Sequence, residues 1–468
     1  MILIPILLAL GTWVLILRLC NQHKFLNIFE QLALWFVMAL SLFVFELFLE
    51  WIVFDKLSLI LPIVTFMLSL WIFIYKCIKY KYFRKEILNS IKHTFSEVKL
   101  QFILLKERQK YVVILILIYV LLKLFMVFSI NTHMPTFDED AVGGRDIKTK
   151  IFTENKSLVL DKSSPEFLGS ALERNIFAPL TDTYFLLSND SNTSWYTNIV
   201  SALFYCMSIL ILFWIILRKT NLLFAMLGAY IFASLPFVFI HWLGAYRNFI
   251  GWVFIFIVMF YLIDQILNLD KNNPEKKSLK IPLMIILFLA STIRNESVIL
   301  IIISFVTIFI INYFTRKGEK INIMSYVVPL IGVVIWYLSG KFILKLYPAD
   351  SSLIMWNPKI WDILPNLSAN QDLFVAPFKQ MFFHPDYILL YLLFSISIIL
   401  FIRNYKKMEK LLCFFVLIIV LMGVSILILF SDMGMWILTH FAYIRYSIFL
   451  VPFIIYFTTM SLFLSKNE

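Results

Sequence analysis

The sequence predicts an all-α polytopic membrane protein with about 13 transmembrane helices. Hydrophobic residues make up 61% of the 468 residues, and charged residues only 15%. The mean hydropathy of +0.87 is far above that of water-soluble domains. Because a helical span needs about 20 apolar residues, a chain this apolar must divide into many helices joined by short polar connectors.

The apolar runs place predicted spans along the whole chain. They lie at residues 2–18, 28–54, 57–78, 111–130, 196–217, 222–241, 249–268, 281–293, 298–315, 324–345, 387–402, 411–431 and 447–464. Two long loops, residues 131–195 and 346–386, separate some of them. We divide the chain into residues 1–110, with three spans and a basic amphipathic segment, and a membrane core at residues 111–468.

The distribution of positive charge predicts the orientation. The net charge of +12 would suggest a nucleic-acid partner in a soluble protein, but here the basic residues fall in short connectors between spans. Residues 76–110 contain ten basic residues and three acids, which indicates a cytoplasmic segment. Counting spans from it predicts an external N-terminus, a cytoplasmic C-terminus and two external long loops, in a membrane of the bacterial plasma-membrane type.

One apolar stretch, residues 281–314, fits a hairpin better than one long helix, because a hairpin keeps the basic connectors on both sides of it in the cytoplasm. The turn is STIRNES, and its first arm of about 13 residues covers only about 20 Å of a hydrocarbon layer about 30 Å thick. Arg294, Asn295 and Glu296 are therefore predicted to lie below the outer surface, in a cavity lined by protein.

The most informative polar segment is TFDEDAVGGRDIKTKIF, residues 136–152, directly after a span. It carries three consecutive carboxylates, and a helix that begins after its glycine pair would place two basic residues on one face. Such a group can deprotonate an acceptor and hold a phosphate leaving group. The alternative is that this segment is an ordinary solvated loop without a functional site. The candidate residues are Asp138, Glu139, Asp140, Arg145 and Lys148.

Three further polar groups fall at predicted external helix ends. They are the Arg294–Glu296 turn, His241 with Arg247, and Arg445. The turn has the alternative of a structural ion pair, and arginines beside aromatic residues often serve only as a membrane anchor. The agreement of all four groups on one face of the membrane favours a shared site.

Other features have structural interpretations. Glu46, Glu50 and Lys123 lie within predicted spans and suggest a buried network. The loop at residues 131–195 contains enough apolar residues to fold onto the membrane as short interfacial helices. The four cysteines lie in or beside predicted spans, so no disulfide framework is indicated.

These motifs resemble those of the GT-C superfamily of membrane glycosyltransferases, including its protein O-mannosyltransferase and bacterial lipid-sugar-dependent branches. Asp138 and Asp140 match the acidic positions of the first external loop, and Lys148 and Lys150 the basic ones. STIRNESVIL is similar to the family's short Lys/Arg-Asn-Glu hairpin, and IRYSIFLVP to the start of its late span. Two departures are Arg145, where relatives tend to have an aromatic residue, and Tyr246-Arg247-Asn248, where they often have Tyr-Asp.

The resemblance implies an inverting transfer of a sugar from a polyprenyl-phosphate carrier to a lipid, glycan or protein acceptor on the external face. It implies that Asp138 or Asp140 is the base and that the phosphate is held by positive charge. The implied phosphate-binding residues are Arg145, Lys148, Arg294 and Arg445, and the other implied substrate contacts are Glu139, His241, Arg247, Asn295 and Glu296. No cofactor is required, although a divalent cation held by the acids would assist.

Three other functions share this topology. An oligosaccharide polymerase or ligase would depend on arginine and histidine in a later external loop. A transporter or flippase would contain a polar path through the membrane and internal repeats. A non-catalytic assembly component would keep its function without Asp138 and Asp140.

Overall fold

The computed structural model describes the chain in a series of ranges, and within them the regular elements are helices. The ranges are residues 42–133, 146–159, 177–189, 195–243, 248–267, 280–293, 295–315, 323–339, 379, 383–385, 387–432 and 448–466. The predicted first span, residues 2–18, and most of the second long loop, residues 346–386, lie outside the described residues.

The helices are numbered in chain order. Helices α1 to α6 occupy residues 42–54, Ile60–Lys79, Lys81–Ile103, Glu107–His133, Ile147–Asn155 and Phe177–Asn189. Helices α7 to α12 occupy Trp195–Leu217, Leu222–Ser234, Pro236–Leu243, Asn248–Leu267, Lys280–Ile293 and Asn295–Thr315. Helices α13 to α17 occupy Met324–Leu338, Ile388–Arg403, Tyr405–Met408, Leu412–Asp432 and Val451–Lys466, and short 3-10 turns precede α16 and α17.

Five helices in the described ranges are long and apolar enough to cross a membrane, by length and composition: α2, α4 and the main parts of α7, α12 and α17. Six other apolar helices have 10–17 residues. A described helix coincides with each predicted span except residues 2–18. The structure is therefore that of an all-α protein with membrane-spanning helices, and the total of about 13 spans stays a prediction.

The predicted span at residues 222–241 is divided into two helices, and whether it crosses the membrane stays a prediction. The chain breaks at Leu235, whose ψ of 115° is extended, between α8 and α9. Pro236 supplies the reason, because proline disfavours the helical conformation in the residue before it and suits the first position of a new helix. Two shorter helices therefore replace the predicted span.

One end of the bundle collects basic side chains. Beyond the end of α7, Arg218 Nη2 donates to Asp264 Oδ2 at 2.6 Å, and Lys219 pairs with the same carboxylate. Asp264 is in the last turn of α10, so α7 and α10 end at the same level. Lys466 lies over the ring of Phe224, 5.9 Å from its centroid, which places the end of α17 beside the start of α8. We call this the basic end.

Helix α4 runs parallel to α8 and α9. The ring centroids of Tyr119 and Tyr230 are 5.1 Å apart, and Lys123 Nζ lies 3.9 Å from the ring centroid of Phe239. The later contact on α4 is also the later one along α8 and α9, so these helices run in the same direction. Helices α4 and α8 therefore start at the same end. The basic segment at residues 76–110 therefore leads into the bundle at the basic end, as the charge pattern predicts.

Helices α11 and α13 are also parallel. Met284 of α11 lies against Gly332 of α13, and the rings of Phe288 and Trp336, each four residues further on, are 6.2 Å apart. The close approach at Gly332 is possible because glycine has no side chain, a common device where membrane helices pack tightly.

Helix α12 runs back against this pair. Asn312, near the end of α12, donates to the Tyr326 hydroxyl at the start of α13, at 3.0 Å. The start of α11 and the end of α12 are thus both level with the first half of α13, and the chain reverses between Ile293 and Asn295. These contacts agree with the predicted hairpin. Because α10 ends at the basic end and α11 is the next helix in the chain, the predicted topology places the reversal at the opposite end.

That opposite end carries the first long loop. Trp51 Nε1 of α1 donates to Ser157 Oγ at 3.1 Å, and Leu57 N donates to Lys156 O at 2.5 Å. The α1–α2 connector therefore contacts the segment that follows α5. We call this the loop end. Helix α1 also packs on the core, with the rings of Phe45 and Phe288 5.3 Å apart, and the division of the chain at residue 110 stays a prediction.

Candidate functional site

Buried charge is concentrated at the loop end. Among the described residues, the charged side chains that are buried are Glu46 and Glu50 on α1, Lys148 on α5 and Asp182 on α6. All four belong to helices of this end. Because charge is costly to bury in a membrane protein, such a concentration marks either a structural network or a functional site.

Glu50 has a structural role. Its Oε2 accepts hydrogen bonds from Ser58 N and Ser58 Oγ, both at 2.9 Å, and its Oε1 accepts one from Leu61 N. Ser58 and Leu61 flank the start of α2, where backbone N–H groups lack helical partners and a negative charge is favourable. Glu50 therefore caps the next helix and fixes the α1–α2 connector.

Lys148 is the predicted site residue whose side chain the structure describes. A helix, α5, begins at Ile147, after the glycine pair, and Arg145 lies outside the described residues. Lys148 is only 3% exposed, whereas the Lys150 side chain is 70% exposed and lies 3.9 Å from Glu154. The two lysines of the motif therefore face opposite ways: Lys148 lies inward and Lys150 outward.

Helix α6 is buried on all sides, and the sequence did not predict this. The seven residues from Leu180 to Leu186 are all buried, and Asp182 is fully so, between Thr181 and Thr183. The prediction that the first loop folds onto the membrane as short interfacial helices stays a prediction, and the described middle of α6, from Leu180 to Leu186, is covered by protein. Tyr184 of α6 stacks on Phe43 of α1. Phe43 is eight residues before Trp51, so this contact is about 12 Å along α1 from Trp51.

Tyr184 packs α6 against α1 near Glu46. Its ring stacks on Phe43, three residues before Glu46 on the same helix, with centroids 4.9 Å apart. Glu46 is 4% exposed, and its Oε2 accepts no hydrogen bond within the described part of the chain. Glu46, Asp182 and Tyr184 are thus candidate site residues; sequence analysis named Glu46 only as part of a buried network and missed Asp182 and Tyr184. A Thr-Asp-Thr-Tyr run inside an apolar segment was the available signal.

Most predicted site residues lie outside the described residues. These are Asp138, Glu139, Asp140, Arg145, Arg247, Arg294 and Arg445. His241, Asn295 and Glu296 lie on described helices, but their side chains are among those not described. Their positions are therefore known only through the helices that lead to them.

Those helices reach the loop end. Helix α4 runs from the basic end to His133, five residues before Asp138. His241 is in α9, which continues the path of α8 away from the basic end, and Asn295 begins α12 at the reversal of the hairpin. Arg445 precedes the turn at Ile448, at the end of α17 opposite Lys466. The described ends thus agree with convergence of the four groups on one face.

The predicted network of Glu46, Glu50 and Lys123 is not formed. Lys123 lies over aromatic rings of α4 and α9, whereas both glutamates lie on α1 beside α2 and α6. Within the described ranges, no group of three or more His, Cys, Asp or Glu side chains could hold a metal ion. The three acids at residues 138–140 lie outside those ranges.

Comparisons of this chain with protein-family models, with curated proteins and with solved structures give no match.

Proposed function

We propose that this protein is a membrane glycosyltransferase. It transfers a sugar from a polyprenyl-phosphate donor to a lipid, glycan or protein acceptor at the loop end, which the positive charge of the other end assigns to the outside of the membrane. One observation supports the proposal above the others: the helix ends that lead to the acidic triplet, the Arg-Asn-Glu turn, His241 and Arg445 all lie at that end.

The buried charges at the same end give further support. A transferase that excludes water needs charged groups held in place before the substrate arrives, since electrostatic stabilisation is strongest where the surroundings are already organised. Lys148 is buried on α5, nine residues after Glu139 in the middle of the acidic triplet, and Asp182 is buried on the neighbouring helix α6. A transporter, by contrast, would need buried charge along the whole path through the membrane.

The reaction needs one base and one positively charged pocket. Asp138 accepts the proton of the acceptor hydroxyl while that oxygen forms a bond to the anomeric carbon of the sugar. The bond from that carbon to the phosphate oxygen breaks, its electron pair stays on the phosphate, and the anomeric configuration inverts. Asp140 is the alternative base.

The phosphate is a good leaving group and needs only neutralisation. Arg145, Lys148, Arg294 and Arg445 are the candidates for this role, because guanidinium and ammonium groups form strong charge-assisted hydrogen bonds to phosphate oxygens. The remaining residues proposed to contact substrate are Glu139, His241, Arg247, Asn295 and Glu296.

A transfer assay tests the proposal. The purified chain is reconstituted in liposomes with a panel of radiolabelled polyprenyl-phosphate sugars and with membrane lipids and proteins as acceptors. We expect at least one donor to lose its label to an acceptor, and no transfer with a variant that carries both Asp138→Asn and Asp140→Asn. Transfer of whole oligosaccharides from lipid diphosphates would favour a polymerase or ligase, and movement of intact donor across the bilayer would favour a flippase.

A further inference from the structure

Lys123 lies within the membrane span α4 and its charge has an aromatic environment. Its ammonium nitrogen is 3.9 Å from the ring centroid of Phe239 on α9 and 5.8 Å from that of Tyr119, one turn earlier on α4. Both distances are within the range in which an aromatic ring face attracts a cation. The two rings thus hold the ammonium at the seam between α4 and α9.

No carboxylate in the described part of the chain forms an ion pair with Lys123; its contacts are the two rings. This distinguishes it from Arg218 and Lys219, which share Asp264 at the basic end. Charged residues inside membrane spans nearly always have a partner, because an isolated charge in lipid is costly. The aromatic rings offset only part of that cost, and an anion beside the ammonium would offset more of it.

The seam is open to lipid. Around Lys123, which is half-buried, Leu122 and Phe125 of α4 are 57% and 69% exposed, and Ile240 of α9 is 51% exposed. An anion that reaches Lys123 from this side comes from the lipid phase. Such an anion must carry its own apolar chain.

The depth of Lys123 fits a phosphate headgroup. Lys123 is seven residues before residue 130, where the apolar run of this predicted span ends, which is about 10 Å of helix. A lysine stem extends toward the membrane surface to bring its ammonium to the headgroup level. The end it approaches is the loop end, where α9 leads to His241.

We propose that Lys123, with Phe239 and Tyr119, binds the phosphate of a lipid in the leaflet at the loop end, and that this seam is the lateral entry for the polyprenyl-phosphate donor. The entry role rests on the proposed function. The phosphate site itself does not, because any lipid with a phosphate monoester or diester headgroup presents the same group to the ammonium. The donor phosphate would move from this seam toward the basic residues of the loop end.

Binding of a labelled lipid phosphate tests the site without requiring turnover. The probe is radiolabelled geranylgeranyl phosphate, and the full-length protein is held in micelles of an alkyl maltoside detergent, which carries no phosphate. We expect Lys123→Met to weaken binding by about 10- to 100-fold, as loss of a hydrogen bond to a charged group does, and Lys123→Arg to retain it. Lys466→Met is the matched control, because Lys466 also lies over an aromatic ring but at the basic end.

Competition distinguishes the sources of the phosphate. If unlabelled geranylgeranyl phosphate displaces the probe and phosphatidylglycerol does not, the seam selects the isoprenyl donor; if both displace it, the seam is a general lipid-phosphate site. Equal binding by wild type and by folded Lys123→Met, or displacement by geranylgeraniol without its phosphate, would overturn the proposal. Probe binding that persists in a protein with no transferase activity would refute the proposed function and leave the phosphate site intact.

Discussion

Replacing Asp138 with Asn should lower the rate of sugar transfer by about 10² to 10⁴, the usual contribution of a general base. Asparagine has nearly the shape of aspartate but cannot accept the proton of the acceptor hydroxyl. The measurement is the initial rate of label transfer in liposomes, together with the thermal unfolding midpoint of each variant in detergent. We expect the rate to fall and the midpoint to stay within the error of the wild-type value.

Asp140→Asn is the paired variant, and Glu139→Gln is the control. If Asp138 is the base, Asp140→Asn should act mainly on substrate affinity, and Glu139→Gln should have the smallest effect of the three. A loss of rate confined to Asp140→Asn would move the base to that position. Wild-type turnover in both aspartate variants would end the assignment of a catalytic carboxylate to this segment.

Gly332→Ala should destabilise the protein by about 3 kcal/mol, at the upper end of the usual range for overpacking. A Cβ at this position would lie 2.1 Å from the Met284 carbonyl oxygen and 2.9 Å from the Phe288 amide nitrogen of α11. These are backbone atoms, so no side-chain rotation can relieve the clash and helices α11 and α13 must separate. The thermal unfolding midpoint in detergent and the yield of monodisperse protein measure the effect.

Two other glycines supply graded controls. At Gly228 a Cβ would meet Ile216 Cδ1 at 2.3 Å, the flexible tip of a side chain, so Gly228→Ala should cost less than Gly332→Ala. At Gly423 no atom lies within 4 Å, and alanine there should stabilise helix α16 by about 1 kcal/mol through its higher helix propensity. Equal midpoints for the Gly332 and Gly423 variants would show that α11 and α13 do not pack as described.

The sequence predicted the helices well where a long apolar run decided the structure. Span boundaries such as those of α7 and α16 follow from composition alone, because a lipid-embedded backbone must satisfy its own hydrogen bonds. The hairpin at Arg294 required a second argument, from the charge of its flanking connectors, and the contacts of α13 agree with it. The break at Leu235 was predictable from Pro236, whose effect on the preceding residue is local.

The candidate site was harder to predict because its parts are distant in sequence. Helix α6 lies in a loop of mixed composition, and nothing in the order of its residues shows that α1, α5, α7 and α11 surround it. Lys148 and Lys150 lie on opposite faces because residues two apart on an α-helix are about 200° apart, but which of them lies inward is decided by the packing of α5, which the spacing does not specify. Glu50 resembled part of a buried network, but the partner that decides its role is the start of the next helix.

The central claim is that the acidic triplet and the Arg-Asn-Glu turn, more than 150 residues apart in the sequence, form one site at the loop end. Proximity in the membrane tests it directly. The four native cysteines are replaced, single cysteines are placed at residues 140 and 296, and a bifunctional thiol reagent of about 5 Å reach is applied, a span typical of side chains that share a pocket. Cross-linking should join residues 140 and 296, and a bound polyprenyl phosphate should protect both.

The control pair, residues 140 and 264, should not react because Asp264 lies at the basic end. Absence of the 140–296 cross-link in folded protein, with both cysteines reactive toward a monofunctional reagent, would contradict the shared site.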